Sequence, residues 1–219
     1  MINFDEYEKI LVGIGDSFMP DMDEKDEIAN YKMLKAITDG RQIDCYNHLA
    51  KLLEGRDYFI VSTCSDDLIF KSNIDENKIV TPCGGYRYLQ CEDDCAHGLL
   101  KFDESYLENG KWPACPQCGK KAVFNKLPIN KYNEGGYMEQ WVVYNKWLQS
   151  TVNKPLLILE LGVGMKYPSV IRFAFEKLAM FNKKSKMYRV HPTLAFATPD
   201  IKDNCVCDSS DAMEFLLSL

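Results

Sequence analysis

The chain has 219 residues, of which 46% are hydrophobic and 26% charged, with a formal net charge of -6. This is the composition of one large globular domain, or of one domain with a small insert, and the negative balance argues against a broad non-specific nucleic-acid surface. No apolar run is long enough to span a bilayer, because the longest, near Leu156–Leu159, stops at Glu160.

In chain order, Lys9–Gly13 reads as a strand running into the loop Gly13-Ile14-Gly15-Asp16-Ser17. The acidic stretch Asp21–Asp26 suits the positive end of a helix dipole, and Ile28, Tyr31, Leu34 and Ile37 then recur at helical spacing. Gly40 breaks that helix, and a second runs to about Leu53. Tyr58–Thr63 is a buried strand and Lys78–Thr81 another short one. Residues 86–125 change character, with clustered cysteines, turn residues and little helical periodicity, as expected of an inserted module. Gly135 and Gly136 precede a helix in which Met138, Trp141, Val142 and Leu148 share a face. Its aromatic residues Tyr137, Trp141, Tyr144 and Trp147 read as core more readily than as a substrate groove.

Pro155–Leu161 is the strongest strand, and it enters Gly162-Val163-Gly164 and then a helix from Pro168 to Met180. Arg172, early in that helix, can meet a phosphate or be salt-bridged. Lys186–Val190 and Leu194–Ala197 are weaker strands, and Asp208–Leu219 is a terminal helix capped by Ser209 or Ser210. Strands alternate with helices, and glycine loops follow the first and the strongest strand. The pattern predicts an α/β fold with a Rossmann-like parallel sheet, helices on both faces and a small metal module.

Nine cysteines is an odd number, which excludes a closed disulfide framework. The opening MINFDEYEKI carries no secretory pattern, so a reducing, cytoplasmic setting is expected. Cys91-x3-Cys95 and Cys115-x2-Cys118 stand 19 residues apart. Two such pairs can converge on a closed tetrahedron of thiolates, which is structural zinc (Zn2+) chemistry with no open position for water. The zinc would stabilise an insert with little core of its own. His97 is a further candidate ligand that four cysteines make unnecessary. Cys45 reads as a small buried hydrophobe, and Cys205 and Cys207 are expected to face opposite ways on a strand.

Gly13-x-Gly15 and Gly162-x-Gly164 allow the close backbone approach that phosphate binding at strand ends needs, although each is also compatible with a plain strand-to-helix turn.

A glycine loop, a later T-x-x-x-D strand end at Thr63–Asp67, an inserted four-cysteine ribbon and a terminal Ser210-Asp211-Ala212, in that order, resemble the sirtuins. The stretch Leu159–Met165 with Pro168, Ile171, Arg172, Phe175 and Glu176 is similar to the macrodomain-linked class M of that family. The resemblance spans nearly the whole chain. It implies a single unit, 1–219, with a large Rossmann-like domain over 1–85 and 126–219, a helical segment at 18–55 and a zinc ribbon at 86–125. It also implies NAD or ADP-ribose as ligand, and attack on C1′ of the nicotinamide ribose by an acyl-lysine oxygen or by a protein acceptor. The partners implied are therefore NAD and a protein substrate or partner protein, with no membrane.

By motif, Gly13, Gly15 and Ser17 match the family's phosphate loop, and Gly162 and Gly164 its second loop. Ser210, Asp211 and Ala212 match the adenine-side segment, and His191 stands where an asparagine is usual. The catalytic positions are Cys83, Asp67 and Ser65. The family histidine, eight residues before the first zinc cysteine, is here Cys83, and the family asparagine is Ser65. Asp16 puts a carboxylate beside a diphosphate. These departures predict weak or absent deacylation, and leave open a module that senses NAD or ADP-ribose or binds a protein without turnover.

Overall fold

The computed structural model describes residues 2–23, 25–93, 95 and 98–219, so His97 lies outside the described residues. Nine strands and six α-helices are found among them. β1 (Lys9–Ile14) is followed by α1 (Glu27–Ala36), α2 (Arg41–Leu53), β2 (Tyr58–Ser62) and β3 (Ile79–Val80). β4 (Gly84–Cys91), β5 (Leu100–Lys101), the short α3 (Ser105–Glu108) and β6 (Ala122–Lys126) come next. α4 (Met138–Gln149), β7 (Leu156–Leu161), α5 (Arg172–Phe181), β8 (Ser185–Val190), β9 (Cys205–Asp208) and α6 (Ala212–Leu217) complete the chain.

The main sheet has the order β3-β2-β1-β7-β8-β9, and every pairing in it is parallel. Counted within that sheet, this is the doubly wound order 3-2-1-4-5-6. Strand alternation sends Ile10, Val12 and Ile14 to one face, where they pack with Leu49 and Leu53 of α2 and Leu216 of α6. Leu11 goes to the other face, with Tyr144 of α4 and Phe175 and Ala179 of α5. Both faces are covered, which is why β1, β2 and β7 read as nearly unbroken apolar runs.

The second sheet, β5-β4-β6, is antiparallel. The expectation that this region has little core of its own is corrected. Phe102, Trp112 and Phe124 form an aromatic cluster with Tyr86 on the sheet and Tyr31 of α1, with Phe102 and Phe124 5.1 Å apart edge to face. α1 is fastened to it by polar contacts. Tyr86 Oη donates to Glu27 at 2.7 Å, Tyr31 Oη donates to Glu104 at 2.6 Å, and Lys126 pairs with Glu27.

Several local readings also change. α5 begins at Arg172 rather than Pro168; the residues between are turns, tied by Phe173 N donating to Pro168 O. Residues 194–197 form no strand; arginine side chains take the carbonyls of Leu194 and Phe196. The cap of α6 is Asp211, whose Oδ1 accepts from Met213 N and Glu214 N; the serines before it lie in the turn after β9. In α4, Met138 and Val142 face solvent. The face that packs is the aromatic one, with Tyr144 buried and Tyr137, Trp141 and Trp147 beside it.

One buried charge cluster holds the centre. Glu160 of β7, Arg172 of α5 and Arg189 of β8 are 1%, 2% and 0% exposed. Arg189 grips Glu160 with two hydrogen bonds, Nε to Oε1 at 2.6 Å and a second nitrogen to Oε2 at 2.8 Å. Arg189 also reaches Glu176 and Phe196 O, while Arg172 reaches Glu160 and Leu194 O. Arg172 is thus the salt-bridged residue and not a phosphate ligand. Removing one member leaves a buried charge unpaired, which typically costs about 3–5 kcal/mol. Arg189→Met should lose stability of that order in denaturant melts, and a loss below ~1 kcal/mol would show that Glu160 is relieved by other means.

Candidate functional site

The switch point of the main sheet lies between β1 and β7, where strand order reverses, and open α/β sheets place ligands beyond the strand ends there. The two glycine loops leave the sheet at this point and pack on each other. A Cβ on Gly15 would sit 2.1 Å from Gly162 O and 2.3 Å from Val163 Cα. Gly162 has φ +62°, and a Cβ there would sit 1.7 Å from Ser17 Oγ. Gly15 N donates to Leu161 O at 2.9 Å, which locks the loops at their base. Gly13 is different. It lies inside β1, and its missing Cβ makes room for Ile171 and Phe175 of α5.

Beyond the loops is a cavity lined by Asp16, Met19, Thr63, Ser65, Cys83, Leu127, Val163, Gly164, Lys166 and Tyr167. It opens into a wider cleft of about 480 Å³ edged by Asp21, Asp23, Glu27 and Lys126. Asp16 reaches across between the loops, and its Oδ1 accepts from Gly164 N at 3.2 Å. A backbone N–H that a phosphate could use is therefore already taken by a carboxylate. Tyr167 Oη, by contrast, is buried with no hydrogen-bond partner. Lys166 brings a positive charge to the same wall.

Cys83 is 1% exposed and joined to the second sheet by Leu127 N donating to Cys83 O at 2.9 Å. Burial pushes its thiol up to about 12, with Lys166 only partly offsetting this. It is a neutral thiol at physiological pH and no general base. Next to it Gly84 has φ +73°, and a Cβ there would strike Asn125 O at 2.0 Å.

Ser65 lines the same cavity, but Asp67 does not. Its backbone is left-handed, φ 57°, which turns the side chain under β4. There Oδ2 accepts from Tyr86 N at 2.5 Å, and Arg87 stands 3.7 Å from Oδ1. Asp67 faces a separate cavity shared with Tyr31, Asp66 and Phe102. Burial raises Asp66 to about 7 and Asp67 to about 6; Arg87 opposes the shift at Asp67.

On the far side of the loops, Ala212 is buried close to Gly162. Ser210 lines a different cavity, beside Tyr188 and Val206, and its Oγ has no partner. Asp211 caps α6 and pairs with Arg41 at 2.6 Å. His191 Nδ1 accepts from Thr193 N and Leu194 N, each at 3.1 Å. Burial and Arg172 hold its pKa below the usual histidine value. Gly15, Ser17, Gly162, Gly164, Ser65 and Cys83 are thus brought together, while Asp67, Ser210 and Asp211 are aimed elsewhere. Thr63, at the head of the T-x-x-x-D segment, also lines the cleft, and Lys166 and Tyr167 are cleft residues that sequence reading did not single out. Their signal was the step from Gly164 through Met165 into Lys-Tyr-Pro, directly after the strongest strand.

The sulfurs of Cys91, Cys95, Cys115 and Cys118 all lie within 4.8 Å of one another. Thiolates at about 2.3 Å from a zinc ion stand roughly 3.8 Å apart, and Cys91 Sγ and Cys118 Sγ stand 3.5 Å apart. Cys115 and Cys118 sit in a tight knuckle in which Gly119 N donates to Cys115 O and Gly119 takes φ +73°. The four could hold structural zinc.

No protein-family model matches the chain. A probable bifunctional ADP-ribose hydrolase/ADP-ribosyltransferase of Fusarium oxysporum f. sp. cubense is 29% identical over 143 residues, covering 58% of this chain and 24% of that protein. A protein ADP-ribosyltransferase of Staphylococcus aureus is 23% identical over 165 residues, covering 66% and 52%. The chain thus spans about a quarter to a half of these curated relatives. Among solved structures, Sir2 bound to an acetylated peptide superposes with a TM-score of 0.61 at 15% identity, over 98% of this chain and 92% of that one. Sir2 with a p53 peptide and NAD+ gives 0.54 at 16%, over 96% and 90%. The chain has the sirtuin fold. Within that fold, no helix among the described residues is long and apolar enough to cross a membrane.

The buried acids give a pH signature. A carboxyl raised on folding binds its proton more tightly in the native state, so its contribution is full below about pH 4 and is lost as pH rises through about 7 for Asp66. Asp66→Asn should melt higher than the wild type at pH 8, with the gap narrowing toward pH 4. A gap that is constant with pH, measured by thermal melts, would contradict the assignment.

Proposed function

We propose that the cleft binds NAD or ADP-ribose and that the chain transfers ADP-ribose from NAD to a protein acceptor, with the ribbon cysteines holding structural zinc. One observation carries the reading: two interlocked glycine loops, at the switch point of a sirtuin-fold sheet, bound a cleft that holds Ser65, Cys83 and an unpartnered Tyr167 hydroxyl. The names of the two relatives support transfer over deacylation. In such a transfer the acceptor's lone pair forms a bond to C1′ of the nicotinamide ribose. The bond from C1′ to the nicotinamide nitrogen breaks, nicotinamide leaves with that electron pair, and the acceptor's proton passes to solvent or to a base.

The wall supports positioning more than proton transfer. Cys83 is neutral where the fold's relatives by motif carry a histidine, and loss of a general base typically costs about 10²–10⁴-fold. This favours a second reading, a pocket that holds ADP-ribose without turnover. The ribbon would set the acceptor side of the cleft, since Leu127 at its base lines the cavity.

Calorimetric titration with ADP-ribose should give saturable binding below millimolar ligand. Nicotinamide release from NAD with a protein acceptor should be slow but above the protein-free rate. Binding without release selects the second reading, and no heat at millimolar ADP-ribose overturns both.

A further inference from the structure

Cys205 and Cys207 lie on β9, the outer strand of the main sheet, away from both the cleft and the four-sulfur cluster. The expectation that they face opposite ways is wrong, because residues two apart on a strand share a face. Their sulfurs stand 3.9 Å apart. Cys207 is exposed and Cys205 half-buried, whereas Cys45, Cys64 and Cys83 are buried.

We propose that Cys205 and Cys207 form a hydroperoxide-reactive dithiol that closes to a disulfide within β9. Residues i and i+2 of a strand have Cα atoms about 6.4–6.8 Å apart, at the upper end of the roughly 4.4–6.8 Å that disulfides span. Closure also needs the Cβ atoms to approach to roughly 3.5–4.5 Å, so β9 must bend locally, and β9 is held along one side alone, through Met187 opposite Cys205 and Arg189 opposite Cys207.

Exposure assigns the roles. The Cys207 thiolate attacks a hydroperoxide; an S–O bond forms, the O–O bond breaks, and the released alkoxide or hydroxide takes up a proton. Cys207 is then a sulfenic acid. Burial, reinforced by Cys207, pushes the Cys205 thiol up to about 12, which suits the resolving partner rather than the first nucleophile. The Cys205 sulfur attacks the Cys207 sulfur, the S–S bond forms, the S–O bond breaks, and the hydroxyl leaves as water with the Cys205 proton. Two thiols have lost two electrons and two protons, and the peroxide has been reduced to an alcohol or water plus water. The bend falls just before Asp208, which holds Ser210 N through its carboxylate and His191 N through its carbonyl.

The test treats the reduced full chain with hydrogen peroxide, blocks free thiols, digests with trypsin without reductant and weighs the peptides. The fragment after Lys202 carries both cysteines and no other. It should become two hydrogens lighter, and dithiothreitol should reverse the change. Cys205→Ser should instead yield a dimedone-trapped sulfenic acid at position 207, and Cys207→Ser should yield neither product. Two free thiols in the wild-type fragment after peroxide, or sulfinic acid at Cys207 without a disulfide, would overturn the proposal. Reduced variants with unchanged melting temperature exclude misfolding as the cause.

Discussion

The contact between Gly15 and Gly162 is the constraint on which the site depends. With a Cβ on Gly15 the Gly162 carbonyl would have no room, and Gly162 itself needs a left-handed backbone beside Ser17. The ends of β1 and β7 can therefore come together only with glycine on both sides. That closeness fixes where the cleft opens. Behind it, Glu160 on β7 is gripped by Arg189, and the same arginine pins the segment after β8 through Phe196 O. The sheet end is rigid because its charges and its backbone are satisfied from several elements at once.

On this rigid base the cleft departs from the site that the sequence resemblance implies. Asp16 accepts the Gly164 amide and so behaves as a built-in anion at a place suited to phosphate. Cys83 supplies bulk and a neutral thiol, and Asp67 is committed to Tyr86 N instead of to the cavity. The other polar side chains lining the cavity are Tyr167, Lys166, Ser65 and Thr63. In the proposed function this set would orient and hydrogen-bond a nucleotide, and the carboxylate of the cavity, Asp16, is already engaged by Gly164 N. In the proposed function, binding and catalysis are therefore separable: the glycine loops would serve the first, and Cys83 and Ser65 would bear on the second.

Much of this was legible in the sequence. Buried strands such as Leu156–Leu161 are apolar on both faces, and the paired cysteine spacing allowed only a few arrangements. The failures have local physical causes. Leu194–Ala197 looks extended and apolar, but two buried arginines claim the carbonyls at Leu194 and Phe196, and nothing in the local pattern announces that. Asp211, not the serines, stands directly before the helix and takes the Met213 and Glu214 amides, and it also pairs with Arg41, a partner 170 residues away. Met138 and Val142 obey helical spacing, yet the heavier aromatic face of the same helix took the core. Asp67 has the residue type that the sequence resemblance implies, and only the left-handed turn at its own backbone shows that it points away.

The most direct test of the account is the affinity of Asp16→Asn for ADP-ribose compared with the wild type, by calorimetry at fixed salt. Asparagine keeps an acceptor for Gly164 N and removes only the charge. The account predicts binding tighter by about tenfold, or ~1.4 kcal/mol. Equal or weaker binding would show that Asp16 does not stand in for a phosphate, and the diphosphate would then have to lie elsewhere.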